Sequence, residues 1–94
     1  MLEKIKLTLR IDENNLDGEI EDTIQAAISD LKLCGVLENK IIETDPLIIR
    51  AIKIFCKAEY SSDDKEATRY RKSYEMLRNH LSMSKEYNTE LVTP

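Results

Sequence analysis

Only two glycines and two prolines punctuate the 94 residues, and this scarcity limits the fold more than any other feature of the chain. A sandwich or barrel turns every few residues and draws on glycine and proline at most of those turns. Here the breaks fall at polar clusters, Asp12-Glu13-Asn14-Asn15 and Ser61-Ser62-Asp63-Asp64. Such residues bond to their own backbone and interrupt helices. A chain of this length makes one domain with one modest core and little room for a deep pocket.

Between the breaks, apolar residues recur at helical spacing. Leu2, Ile5 and Leu9 share a face of a short helix, with Leu7 between them. The alternation Ile5, Leu7, Leu9, Ile11 also fits a strand, but no partner strand appears elsewhere, so the helix is the preferred reading. From Asp17 to Leu33 a second helix carries Ile20, Ile24, Ala27, Ile28 and Leu31 in one stripe that continues to Cys34. Glu19, Glu21 and Asp22 near its start complement the helix dipole. Gly35 follows its end, where a left-handed residue is wanted. Val36 to Thr44 is a connector whose Val36, Leu37, Ile41 and Ile42 are expected to pack back on the domain.

Asp45-Pro46 opens a third helix, with Asp45 as cap and Pro46 at the first position, where its missing N–H is no loss. Leu47, Ile48, Ala51, Ile52, Phe55 and Ala58 line one face, and Ile49 and Ile54 widen it. So broad a stripe predicts contact on two sides and a central place in the bundle. Asp63 with Glu66 resembles a capping box. It starts a fourth helix, Asp64 to Met83, whose apolar seam is Ala67, Tyr70, Tyr74, Leu77 and Leu81. The expected architecture is all-α: a compact bundle of about four short helices over residues 1–86. Residues 87–94 are read as a flexible C-terminal tail that waits for a partner.

The chemistry-bearing residues are too few for catalysis. No GxSxG, glycine-rich phosphate loop or HExxH is present, and His80 is the sole histidine. Near the end of the last helix, His80 is best placed to complement the dipole. Cys34 and Cys56 form no CxxC, so a zinc set lacks ligands, and both are read as reduced, mostly buried thiols. The acids from Asp12 onward suggest a calcium loop, but the sixth and twelfth places hold Asp17 and Thr23 where glycine and glutamate are needed. No catalytic residue, metal or cofactor is expected. The chain has no apolar run long enough to span a membrane and no signal-peptide pattern, which points to a cytosolic setting.

Eighteen acids against fourteen bases give a net charge of −4, which disfavours general coating of nucleic acid. The charge is uneven: residues 1–49 hold 11 acids and 5 bases, and residues 50–94 hold 7 acids and 9 bases. Arg69, Arg71, Lys72 and Arg78 make the last helix basic. An alternative function follows from that helix, a small nucleic-acid-binding regulator. Its joint lacks the glycine of a tight helix-turn-helix, and Tyr70, Tyr74 and Leu77 are spent on packing.

Three blocks of residues resemble a known family. The first is Leu9-Arg10-Ile11-Asp12, then Glu19-Ile20, Ala26-Ala27, Asp30-Leu31 and Gly35-Val36. The second is Asp45-Pro46-Leu47-Ile48, then Ala51-Ile52 and Lys57-Ala58. The third is Arg69-Tyr70, Ser73-Tyr74-Glu75, Leu77 and Leu81, closing with Ser84 and Tyr87. Together, over residues 2–87, they resemble the small head–tail connector (adaptor or head-completion) proteins of tailed bacteriophages, in the versions carried by phages and prophages of Gram-positive bacteria.

The resemblance implies a helical protomer of a ring, a dodecamer on the portal protein, that extends the DNA channel at the head–tail junction of the virion. DNA passes through it unread, and its far side docks the next head-completion or tail protein. It implies assembly in the cytoplasm of the bacterial host and no catalysis, cofactor or membrane. A closed ring needs two different, complementary surfaces, and the uneven charge offers them. Loops and tails carry variable recognition. The expected partner and subunit contacts are therefore Asp12, Asn15 and Asp17 in the first joint, Asn39, Lys40 and Glu43 in the connector, and Tyr87 and Leu91 in the tail. The outer bases Arg69, Lys72 and Arg78 complete the set.

Overall fold

A computed structural model describes residues 1–90. Helices α1 (Leu2–Leu9), α2 (Asp17–Leu33), α3 (Pro46–Tyr60), α4 (Asp64–Met83) and α5 (Lys85–Asn88) follow one another, with a 3₁₀ turn at Glu38–Lys40 between α2 and α3. No strand occurs among the described residues. The helical reading of the N-terminal segment therefore holds over the strand.

Four of the helix ends have a local cause. In α3 the Asp45 carboxylate accepts from Leu47 N at 2.9 Å and Ile48 N at 3.4 Å, with Pro46 in the first turn. In α4 the Asp63 carboxylate accepts from Lys65 N and Glu66 N. The reciprocal half of the expected capping box is missing. Asp63 N donates to Ser61 Oγ, and Glu66 accepts the Tyr70 hydroxyl at 2.7 Å. Helix α2 ends in a full left-handed cap: Gly35, at φ 105°, donates to Lys32 O, and Val36 donates to Leu31 O. Helix α1 ends the same way on Arg10, at φ 59°, with Arg10 N on Leu7 O and Ile11 N on Lys6 O. Arginine adopts that conformation rarely.

The core runs through Ile5, Ile20, Ile24, Leu31, Ile48, Ile52, Cys56 and Leu81, all at most 1% exposed. Helix α3 packs against α1, α2 and α4, the central place that its wide apolar face predicts. The joint after Tyr60 turns α4 back along α3, so Tyr60 lies near Glu66 and Leu47 lies near His80. Phe55 and Tyr74 meet edge to face between them, with ring centroids 5.1 Å apart. The described residues form an elongated body of 49 × 27 × 19 Å.

Three expectations need correction. Tyr87 lies inside the folded unit: it sits in α5, is 6% exposed, and its hydroxyl donates to Asp45 Oδ2 at 2.9 Å. The reason is that α4 ends at Met83 and the chain folds back, bringing the aromatic ring over the start of α3. Ile42 is half exposed, because the 3₁₀ turn and the bond from Ile42 N to Lys40 O direct it away from the core. Cys34 is only partly buried, at the rim where α2 ends, whereas Cys56 is fully buried; both are free thiols. Leu91 and the remainder of the expected tail lie outside the described residues.

Candidate functional site

Arg50, Lys53 and Lys57 stand at i, i+3 and i+7, which puts three cations on one face of α3. The left-handed end of α1 places Arg10 beside them. These four residues line one groove with Leu7, Thr8, Ile54, Tyr70 and Ser73, and its volume is about 580 Å³. The groove runs on between α3 and α4 through a second hollow lined by Leu47, Met76, Leu77 and His80, which shares Arg50, Ile54 and Ser73 with the first. Its apolar lining is open to water: Leu7 is 79% exposed and Met76 75%.

Among the described residues, no carboxylate lies within 4.0 Å of Arg10, Arg50, Lys53 or Lys57; the ion pairs all form elsewhere. Lys57 instead lies over the Tyr70 ring, 5.3 Å from its centroid. Like charges one helical turn apart each destabilise a helix by about 0.2–0.5 kcal/mol. The face therefore gathers cations beside exposed leucine and methionine without a neutralising carboxylate among the described residues.

The expected contact residues do not form one site. Asp12 and Asn15 are exposed in the first joint. Asp17 is engaged internally, its Oδ1 at 2.8 Å from Lys6 Nζ, which also donates to Asn14 Oδ1 at 2.9 Å. Lys6 is 5% exposed, and its hydrogen bond to Asp17, against the pull of desolvation, raises its pKa above the ordinary 10.5. Glu43 lies 2.9 Å from the Met1 amino group and 3.8 Å from Lys4 Nζ, and the amino group chiefly holds its carboxyl below the usual range. Asn39 donates to Glu90 Oε1 at 2.8 Å, and Lys40 is half buried beside it.

Arg69 and Lys72 are exposed on α4. Arg78 is not an outer base: its Nη1 donates to Asp30 Oδ2 at 3.2 Å and its guanidinium lies 5.7 Å from the Tyr74 ring centroid. Tyr74 gives its hydroxyl to the same Asp30 oxygen at 2.6 Å. Burial first, and then that bond, push the Tyr74 hydroxyl far above its ordinary pKa of 10.0. This cluster pins α2 to α4.

The groove cations lie on α3, whereas the sequence directs attention to the bases of the last helix. The signal was present: Arg50, Lys53 and Lys57 fall at helical spacing in a segment whose broad apolar face attracts attention first. Among the described residues, no group of three His, Cys, Asp or Glu side chains is placed to hold a metal ion, and no helix is long and apolar enough to cross a membrane.

No curated protein and no solved structure matches the chain. A family model does, that of the phage connector proteins, and it matches residues 1–88, which takes in every described helix. With that match over nearly the whole length, the chain belongs to the phage connector protein family.

Proposed function

We propose that the chain is a structural head–tail connector that forms a ring on the portal vertex, prolongs the DNA channel and presents a platform to the next head-completion or tail protein. The family match over residues 1–88 carries this reading. The thin, elongated shape supports it. A body only 19 Å thick leaves each helix with an outward side, and neighbours in a ring would cover much of that surface. Chains below about 70–80 residues commonly supplement their stability by oligomerisation, and this one, at 94 residues, is only somewhat longer.

Native mass spectrometry and negative-stain microscopy of the purified chain, alone and with its phage's portal protein, test the proposal. Closed rings, or stoichiometric decoration of the portal, are the expected result. A strict monomer at high concentration that ignores the portal overturns it.

A further inference from the structure

The outer face of α2 has a composition opposite to that of the groove. Glu19, Asp22, Ala26, Ser29 and Leu33 fall at i, i+3, i+7, i+10 and i+14, and all five are exposed. The face begins with two acids, passes through two small residues and ends on Leu33, which is 86% exposed. Neither Glu19 nor Asp22 lies within 4.0 Å of a cation among the described residues. Along α3 the groove reads the other way: Leu47 comes first, then Arg50, Lys53 and Lys57.

The spans agree. From Leu47 to Lys57 is about 15 Å along the helix axis, and from Asp22 to Leu33 about 16.5 Å, at 1.5 Å per residue, with Glu19 about 4.5 Å further on.

We infer that the groove between α3 and α4 receives the outer face of α2 from a second copy of this chain, antiparallel to α3. In that register Leu33 of the incoming helix meets Leu47 and Met76, and its Asp22 and Glu19 reach Lys53, Lys57 and Arg10. Ala26 and Ser29 let the backbones approach at mid-groove. Both partners of each contact lie on different surfaces of one protomer, so the contact is heterologous and propagates from copy to copy, as a closed ring requires. The inference rests on the ring reading above and names the surfaces that make it. A nucleic-acid ligand fits the groove less well, because phosphates offer nothing to the exposed Leu7, Leu47 and Met76, and the chain's net charge is −4.

Two measurements on the assembled protein test it. Zero-length carbodiimide coupling of a ring made from mixed ¹⁴N and ¹⁵N chains should yield mixed-isotope peptides joining Lys53 or Lys57 to Glu19 or Asp22. This needs no variant and is indifferent to folding defects. The R50E/K53E/K57E triple and the E19K/D22K double should each lose the ring peak while keeping native helicity, and mixing the two variants should restore assembly, because every junction of an alternating ring then joins opposite charges. Rings without such cross-links, or variants that assemble as the parent does, overturn the interface while leaving the ring reading intact. A parent that never assembles overturns both. Loss of duplex-DNA binding by the triple variant with its assembly unchanged assigns the groove to DNA and also overturns the proposal.

Discussion

Asp45 does two jobs with one carboxylate. One oxygen caps α3 through Leu47 N and Ile48 N, and the other accepts the Tyr87 hydroxyl. Losing an N-cap costs about 1 kcal/mol, and losing a hydrogen bond to a charged group about 1.5–3 kcal/mol. Asp45→Ala should therefore destabilise by about 2–4 kcal/mol in urea titrations, while Tyr87→Phe, which keeps the cap, should lose only the second part. The double variant should fall short of the sum, because both changes remove one shared bond. Burial raises the Tyr87 hydroxyl to about 12, with the Asp45 bond adding to it, and burial likewise raises the Cys56 thiol to about 12, helped by the charge of Glu59. Both groups stay neutral in the fold, whereas in the unfolded chain they ionise near 10.0 and 9.0. Their stabilisation is thus complete below about pH 9 and drains away as the pH climbs towards 12. Urea midpoints should be level from pH 7 to about 9 and then fall steadily. At pH 8 a thiol reagent should label Cys34 in the native protein and reach Cys56 only on unfolding.

At the level of elements, the two glycines make opposite predictions from the same substitution. A Cβ on either would meet nothing within 4 Å, so packing is silent at both and the backbone decides. Gly35 holds φ at 105° to close α2, a conformation that costs an L-residue about 1–2 kcal/mol. Gly18 lies in the first turn of α2 with helical neighbours, where alanine is better by about 0.5–1 kcal/mol. Thermal melts should rank Gly18→Ala above the parent and Gly35→Ala below it. These elements were legible because helix starts and stops are local: the bounds of α2 and α4, the Asp45-Pro46 start and the Gly35 stop follow from neighbours in sequence. What a helix presents to a distant element is not local. Arg78 reads as an outer base from its own helix, and only the approach of α2 brings Asp30 to it. Tyr70 reads as seam, yet its ring lies half buried beside Lys57, on the groove side.

For the molecule as a whole, the C-terminal segment is the least legible part and closes the structure. Tyr87, Leu91 and Val92 among polar residues make no periodicity, so residues 87–94 read as a tail. In the fold, α5 returns across the connector between α2 and α3. Tyr87 O accepts from Leu37 N at 2.9 Å, Asn39 donates to Glu90, and the Tyr87 ring joins the core. Two earlier parts of the chain, the 3₁₀ turn and the start of α3, are therefore tied to α5, the first through the Tyr87 carbonyl and Glu90 and the second through the Tyr87 hydroxyl. Removing a buried aromatic costs about 3–5 kcal/mol, and a domain of this size has a total stability of about 5–14 kcal/mol. A chain truncated before Tyr87 should therefore melt more than about 10 °C below the parent, since each kcal/mol moves a domain of this size by about 4–8 °C. Tyr87→Ala in the full chain should show most of the same loss, because the ring and not the length is what the core misses. Hydrogen exchange should then speed up most at Leu37 N, whose acceptor is released with α5, and stay slowest along α3, which three helices still cover. A truncated chain that melts with the parent would mean that α5 rests on the bundle without holding it.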